Sequence, residues 1–140
     1  IIVGETGINA GLAGCFGVPV VLVCGDDIVS REAKEFLPHV RTATVKTAIT
    51  RQSALCLPPE KAQALIRQET EQALASLDSA KPWLPGSPVT FKVEFKDSGL
   101  AENAARMPYS KLLDAKTVAF SADDYLTAFQ GLLAMIVLAH

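Results

Sequence analysis

Glu5 stands in the run Gly4-Glu5-Thr6-Gly7-Ile8-Asn9-Ala10-Gly11, just after the apolar triplet Ile1-Ile2-Val3. A carboxylate on a strand-to-helix turn is a ready donor to a metal ion or a substrate. Its flanking glycines leave the backbone free to take unusual angles. Two readings stay open. In one, Glu5 is a helix-start charge that satisfies free amides and the positive end of the helix dipole. In the other it is a metal ligand. Zinc asks for three or four nitrogen, sulfur or oxygen donors, and this chain holds two histidines. His39 follows Pro38 in a loop and His140 is the final residue, so neither has a partner at helical ligand spacing. On its own the chain does not close a zinc site.

Asp26-Asp27 is the next candidate, at the carboxyl end of the apolar run Val18–Cys24. That edge of an open α/β sheet is where ligands bind. The alternative is an N-cap for the following helix, and Asp27 is the residue placed for it. Lys46 and Arg51 suit a substrate carboxylate if they lie beside Glu5; otherwise they are solvated surface charges. Ser30 and Ser53 have no histidine at local spacing, so no hydrolytic triad is legible. Neither G-x-x-x-x-G-K-[ST] nor G-x-G-x-x-G occurs, which removes the glycine fingerprints of nucleotide binding.

These residues need a scaffold, and 140 residues with 49% apolar content are enough for one domain with a real core. The formal net charge of −2 gives no electrostatic case for nucleic acid. Cys15, Cys24 and Cys56 have no metal-like spacing and read as buried, reduced thiols, which places the chain in the cytoplasm. The apolar stretch Tyr125–Ala139 is shorter than the ~20 residues of a membrane span, and it reads as a core or interface helix. The chain has no initiating methionine and no signal-peptide pattern, so it is expected to be the C-terminal portion of something longer.

Ile1–Val3 reads as the end of a strand, followed by a small-residue helix from Gly7 to Phe16. Its internal glycines cost about 1 kcal/mol each against alanine, which only close packing would offset. Val18–Cys24 is a continuous β-branched run, the pattern of a central strand buried on both faces. A helix from Ile28 to Leu37 follows, with Val29, Ala33, Phe36 and Leu37 inward. Arg41–Ile49 is a strand. Pro58-Pro59 opens a long helix with Ala62, Leu65, Ile66, Ala73 and Leu77 as its apolar stripe. The loop 81–88 is the one candidate internal boundary of a single domain spanning 1–140. Val89–Lys96 alternates as a half-buried strand. A short helix over Leu100–Arg106 and a strand over Thr117–Phe120 follow. Ser121 to Asp124 has capping-box spacing before the last helix. Alternation of strand and helix predicts an α/β fold, three-layer α/β or α+β. Its sheet is mixed with a parallel core, and antiparallel strands enter in the second half.

The ordered set Gly4-Glu5-Thr6-Gly7-Ile8-Asn9-Ala10, Ala13-Gly14, Gly17-Val18-Pro19-Val20 and Gly25-Asp26-Asp27 resembles the C-terminal part of the zinc D-aminopeptidases of peptidase family M55. Val45-Lys46 with Arg51, Leu57–Pro59, Pro88-Val89 and the closing apolar helix continue the resemblance in the same order. It implies hydrolysis of N-terminal D-amino acids from short peptides at a site of two zinc ions, with Glu5 as one ligand. Asn9, Lys46 and Arg51 are the weaker candidates for holding the substrate. It also implies that the remaining ligands, an Asp-x-Glu and further histidines, belong to an N-terminal half absent here, so this portion alone is inactive. A ring-forming, decamer-like homo-oligomer is implied as well. The alternative is a non-enzymatic α/β domain for oligomerisation or partner binding, supported by the missing ligands and the apolar last helix.

Overall fold

The computed structural model describes residues 1–140, which form two compact units, Ile1–Trp83 and Leu84–His140. The first unit carries helix α1 (Glu5–Cys15), strand β1 (Leu22–Asp26), helix α2 (Asp27–Phe36), strands β2 (Arg41–Thr50) and β3 (Ser53–Cys56), and helix α3 (Pro59–Ala75). The second carries β4 (Val89–Glu94), α4 (Ser98–Ala104), β5 (Lys111–Leu112), β6 (Thr117–Ala122) and α5 (Tyr125–Leu138). The fold is α/β with a mixed sheet, as the alternation of elements predicts. Its strands divide into two three-stranded sheets, ordered β1-β2-β3 and β4-β6-β5.

In the first sheet β1 and β2 run parallel, from Leu22 opposite Arg41 to Asp26 opposite Lys46. The second half of β2 turns back antiparallel into β3, with Lys46 opposite Cys56 and Thr47 opposite Leu55. β2 is therefore the central strand, and β1 lies at the edge of this sheet. The expected strand buried on both faces is corrected accordingly: β1 starts only at Leu22, its residues are half-buried, and Cys24 is exposed. The buried-thiol reading fails as well. Cys24 on the edge strand and Cys56 on the outer strand are exposed and Cys15 is half-buried, though all three are free thiols. Ile1 and Ile2 are 88% and 98% exposed and belong to no strand.

Ala10, Ala33, Phe36, Leu37 and Val40 form the core of this unit, with Val20, Val23 and Trp83 packed on it. The Phe36 and Trp83 rings meet at a centroid distance of 5.0 Å. Helix α1 buries Gly7, Ala10, Gly11 and Gly14, so its small-residue face is its packing face. A Cβ at Gly7 would fall 2.6 Å from the Val3 Cβ and 3.3 Å from Phe36 Cζ. That close approach offsets the poor helix propensity. Ser30, buried in α2, bridges the Asp26 carbonyl and the Thr44 hydroxyl, both at 2.8 Å, and fixes α2 on β2. Arg41 ties β2 to α3 through Glu69 at 2.7 Å and also bonds Gln72. The α3 stripe is as expected except at Leu77, which leaves the helix and is 45% exposed.

In the second unit β4 and β6 pair antiparallel from Val89–Ala122 to Glu94–Thr117, and β5 adds on the other side of β6. Helix α5 packs Tyr125, Ala128, Gly131, Leu132 and Met135 inward. Its N-cap is Asp124, which accepts the Thr127 N–H at 2.9 Å, so the capping box read from Ser121 is corrected. No helix is long and apolar enough to cross a membrane.

Candidate functional site

Glu5 is the first residue of α1, and Asn9 follows one turn later on the same exposed face. The N-cap residue is Gly4, at φ −87° and ψ −162°, an extended conformation open to any residue. Freedom of backbone angle is therefore not what the glycine supplies. The only close neighbour of position 4 is the flexible end of the Glu32 side chain. The Glu32 carboxylate on α2 accepts the Gly4 N–H at 2.5 Å, and a Cβ on Gly4 would lie 2.9 and 3.0 Å from its two oxygens. The Glu5 turn is thus held against the second turn of α2. That helix starts at the carboxyl end of β1, the edge at which α/β sheets bind ligands.

The Asp pair at that edge is structural. Asp26, not Asp27, is the N-cap of α2, accepting the Val29 N–H at 2.9 Å. Asp27 accepts the Ala48 N–H at 2.9 Å and pairs with Arg31 at 3.4 Å. Ser53 bonds the Thr50 hydroxyl at the end of the β2–β3 ribbon. Lys46 and Arg51 lie on that ribbon, both exposed. No hydrogen bond or ion pair joins Glu5 to Asn9, Lys46 or Arg51. His39 precedes β2 at the opposite, amino-terminal edge of the parallel pair, beside Trp83 on a small apolar cavity of about 170 Å³.

No group of three or more His, Cys, Asp or Glu side chains converges on a point that would hold a metal ion. Glu5 itself has the chemistry of a ligand: it is exposed, at the mouth of the helix, and no cation of the chain neutralises it. The donor set here fits one ligand of a metal centre and falls short of the centre itself.

The family profile described as D-aminopeptidase, Peptidase_M55, matches residues 1–134. The chain belongs to peptidase family M55. It is 43% identical over 138 residues to a D-aminopeptidase of Bacillus subtilis (strain 168), covering 98% of this chain and 50% of the relative. Its structure matches that of the Zn-dependent D-aminopeptidase DppA from Bacillus subtilis, a self-compartmentalizing protease, at TM-score 0.93 and 42% identity. That match again covers 98% of this chain and 50% of the other. The chain spans about half the length of the relatives it matches.

Glu32, which reading the sequence did not single out, accepts a hydrogen bond from the Gly4 amide beside Glu5. Its contact with Gly4 crosses 28 residues, and no local spacing announces it.

Proposed function

We propose that this chain is the C-terminal half of a zinc-dependent D-aminopeptidase that removes N-terminal D-amino acids from short peptides. The observation that carries the proposal is the 43% identity over 98% of the chain to a D-aminopeptidase, joined to the exposed, uncompensated carboxylate of Glu5 on a turn fixed to α2. Zinc, when bound, polarises a scissile carbonyl and lowers the pKa of bound water towards neutrality. Glu5 offers its oxygens to that ion and balances part of its charge. Asn9, exposed one turn on from Glu5, is a weaker candidate for holding a substrate amine. Lys46 and Arg51 are the weaker candidates for a substrate carboxylate.

The remaining ligands belong, in this reading, to the half of the relatives' length that this chain does not span. The isolated portion then binds zinc poorly and is inactive. Assembly of identical copies is part of the same proposal. Its support is a second apolar stripe on α5, where Leu126, Leu133, Ile136 and Val137 stay exposed. Three free cysteines fit a cytoplasmic setting. The test is hydrolysis of D-Ala-D-Ala and D-Ala amides by the full-length protein with zinc. Outer ligands of metal sites are worth about 10- to 100-fold, so Glu5→Ala should lose more than that. Full activity of the variant would remove the ligand role.

A further inference from the structure

Strand β1 is paired along one edge. β2 lies on that side, and no strand lies on the other. The Arg41 N–H donates to the Val21 carbonyl, so Val21, Val23 and Gly25 turn their backbone groups towards β2. Alternation along the strand turns the N–H and C=O groups of Leu22 and Cys24 to the open edge. Leu22-Val23-Cys24-Gly25 carries neither a charge nor a proline, the residues that commonly blunt a sheet edge. Helices α2 and α3 both pack on β1 and β2. On the α2 side Val23 joins the core of Ala33 and Phe36, and a Cβ at Gly25 would fall 2.5 Å from Val29 Cγ1. Parallel strands of this kind are ordinarily internal to a sheet.

Helix α1 shows where the neighbouring strand belongs. It packs on α2, and the two helices run the same way: Gly4 meets Glu32, and Gly7 meets Phe36. Ala10 of α1 shares its cluster with Val23 of β1 and with no residue of β2, so α1 lies on the β1 side of α2. Helix α2 is the crossover from β1 to parallel β2. A helix beside it, pointing the same way and leading into β1, is placed as the crossover of a preceding unit of the same hand. Residues 4–21 hold that one helix, the length a parallel crossover uses. The strand entering it would end at Val3. Ile1-Ile2-Val3 has the β-branched composition of such an end. Val3 is half-buried against Gly7, while Ile1 and Ile2 are exposed and belong to no strand.

We infer that the open edge of β1 takes a further parallel strand of the same protein, one that ends in Ile1–Val3 and comes from the half of the relatives' length that this chain does not span. The inference rests on the reading of this chain as the C-terminal half of a longer protein. The added strand makes β1 internal. It also sets the Gly4-Glu5 turn at the carboxyl edge of the sheet, the edge that Asp26 occupies and at which α/β sheets bind ligands.

Amide hydrogen exchange of the full-length protein, read residue by residue by NMR, tests it. With the strand in place, the Leu22 and Cys24 amides should be protected to within about 10-fold of Val23 and Gly25, because one opening event exposes the whole strand. The Ile1–Val3 segment should hold protected amides too, and none of this should change on dilution. Leu22 and Cys24 amides that exchange more than about 10-fold faster than Val23 and Gly25 would overturn the inference. Protection that is lost on dilution would also overturn it, because the occupant would then be a second copy. Hydrolysis of D-Ala-D-Ala by the same preparation separates the two readings. Activity with freely exchanging Leu22 and Cys24 removes the strand alone; protection without activity removes the peptidase reading and leaves the strand.

Discussion

The Asp27 carboxylate accepts the amide N–H of Ala48 at 2.9 Å, across 21 residues, and so fastens the start of α2 to the β2–β3 ribbon. Beyond Lys46, β2 has left its pairing with β1 and continues with β3 alone. A two-stranded ribbon is at best marginal by itself, and Asp27 supplies a bond on its open side. Asp27→Ala would strand a part-buried N–H at a cost of about 1–2 kcal/mol. Asp27→Asn retains an oxygen acceptor and should recover most of that loss. Chemical denaturation measures the cost, and amide exchange at Ala48 locates it.

Gly131 of α5 lies against the Phe120 ring of β6, and a Cβ there would fall 2.2 Å from Phe120 Cδ1. Alanine gains about 1 kcal/mol in helix propensity. Overpacking a filled site costs about 1–3 kcal/mol or more. At this separation the helix or the ring must shift, so packing wins and Gly131→Ala should destabilise the second unit by up to about 2 kcal/mol net. Gly131→Ala combined with Phe120→Leu should be less damaged than the two single changes predict, which a double-mutant cycle by thermal or urea unfolding would read.

Much of the fold is legible in the sequence because its signals are local. Pro58-Pro59 opens α3 and the alternation from Val89 marks β4. The inward residues of α2, from Val29 to Leu37, follow from helical period alone. The misreadings are those that depend on neighbours. A β-branched run such as Val18–Cys24 reads as central, but centrality is a matter of pairing, and β2 holds that place. Asp26 and Asp27 are adjacent and chemically alike; which one caps depends on where the first helical turn closes. At the candidate site, Glu5 is visible from its motif, whereas the bond between Glu32 and the Gly4 amide arises only from the way α1 and α2 pack.

Two exposed aspartates couple the second unit to acid. The Asp124 carboxyl lies below its ordinary value of 3.8, first because of the Thr127 backbone N–H and then its hydroxyl. Asp114 is lowered in the same way by the backbone N–H of Lys116 and then by Thr117. A carboxylate whose folded value is depressed binds protons more weakly when folded. Its stabilisation is complete above 3.8 and is lost as the pH falls below that value and through the lower folded one. Asp124→Asn should flatten the fall in stability over this acid window and leave its shape near neutrality unchanged. Urea unfolding across pH, followed at residues of α5, would show it; an unchanged acid slope would contradict the cap.

The Cys24 thiol lies above its ordinary value of 9.0, pushed up by desolvation although its side chain is reachable from solvent. Because the thiolate is the nucleophile, Cys24 should alkylate more slowly at pH 8 than a free cysteine. Raising the pH should speed its labelling without unfolding the chain. Peptide mapping after timed iodoacetamide treatment gives the rate, and a rate equal to free cysteine would refute the effect.

Helix α5 has two apolar stripes, and the unit's own core uses one. Tyr125, Ala128, Leu132 and Met135 face inward, while Leu133 is 46% and Val137 72% exposed one turn apart on the other side. A helix apolar on both faces needs a second partner, and in the proposed assembly that partner is another copy of this protein. Charging the outer face separates folding from assembly. Leu133→Glu and Val137→Glu replace exposed side chains, so each should change the stability of the separated subunit by no more than about 0.5 kcal/mol. In an assembled state the same carboxylates would be buried without a partner, which is strongly unfavourable. Light scattering on the full-length protein should therefore show the double variant at lower mass than wild type, with its circular dichroism unchanged. An unchanged mass would exclude this face from the assembly contact.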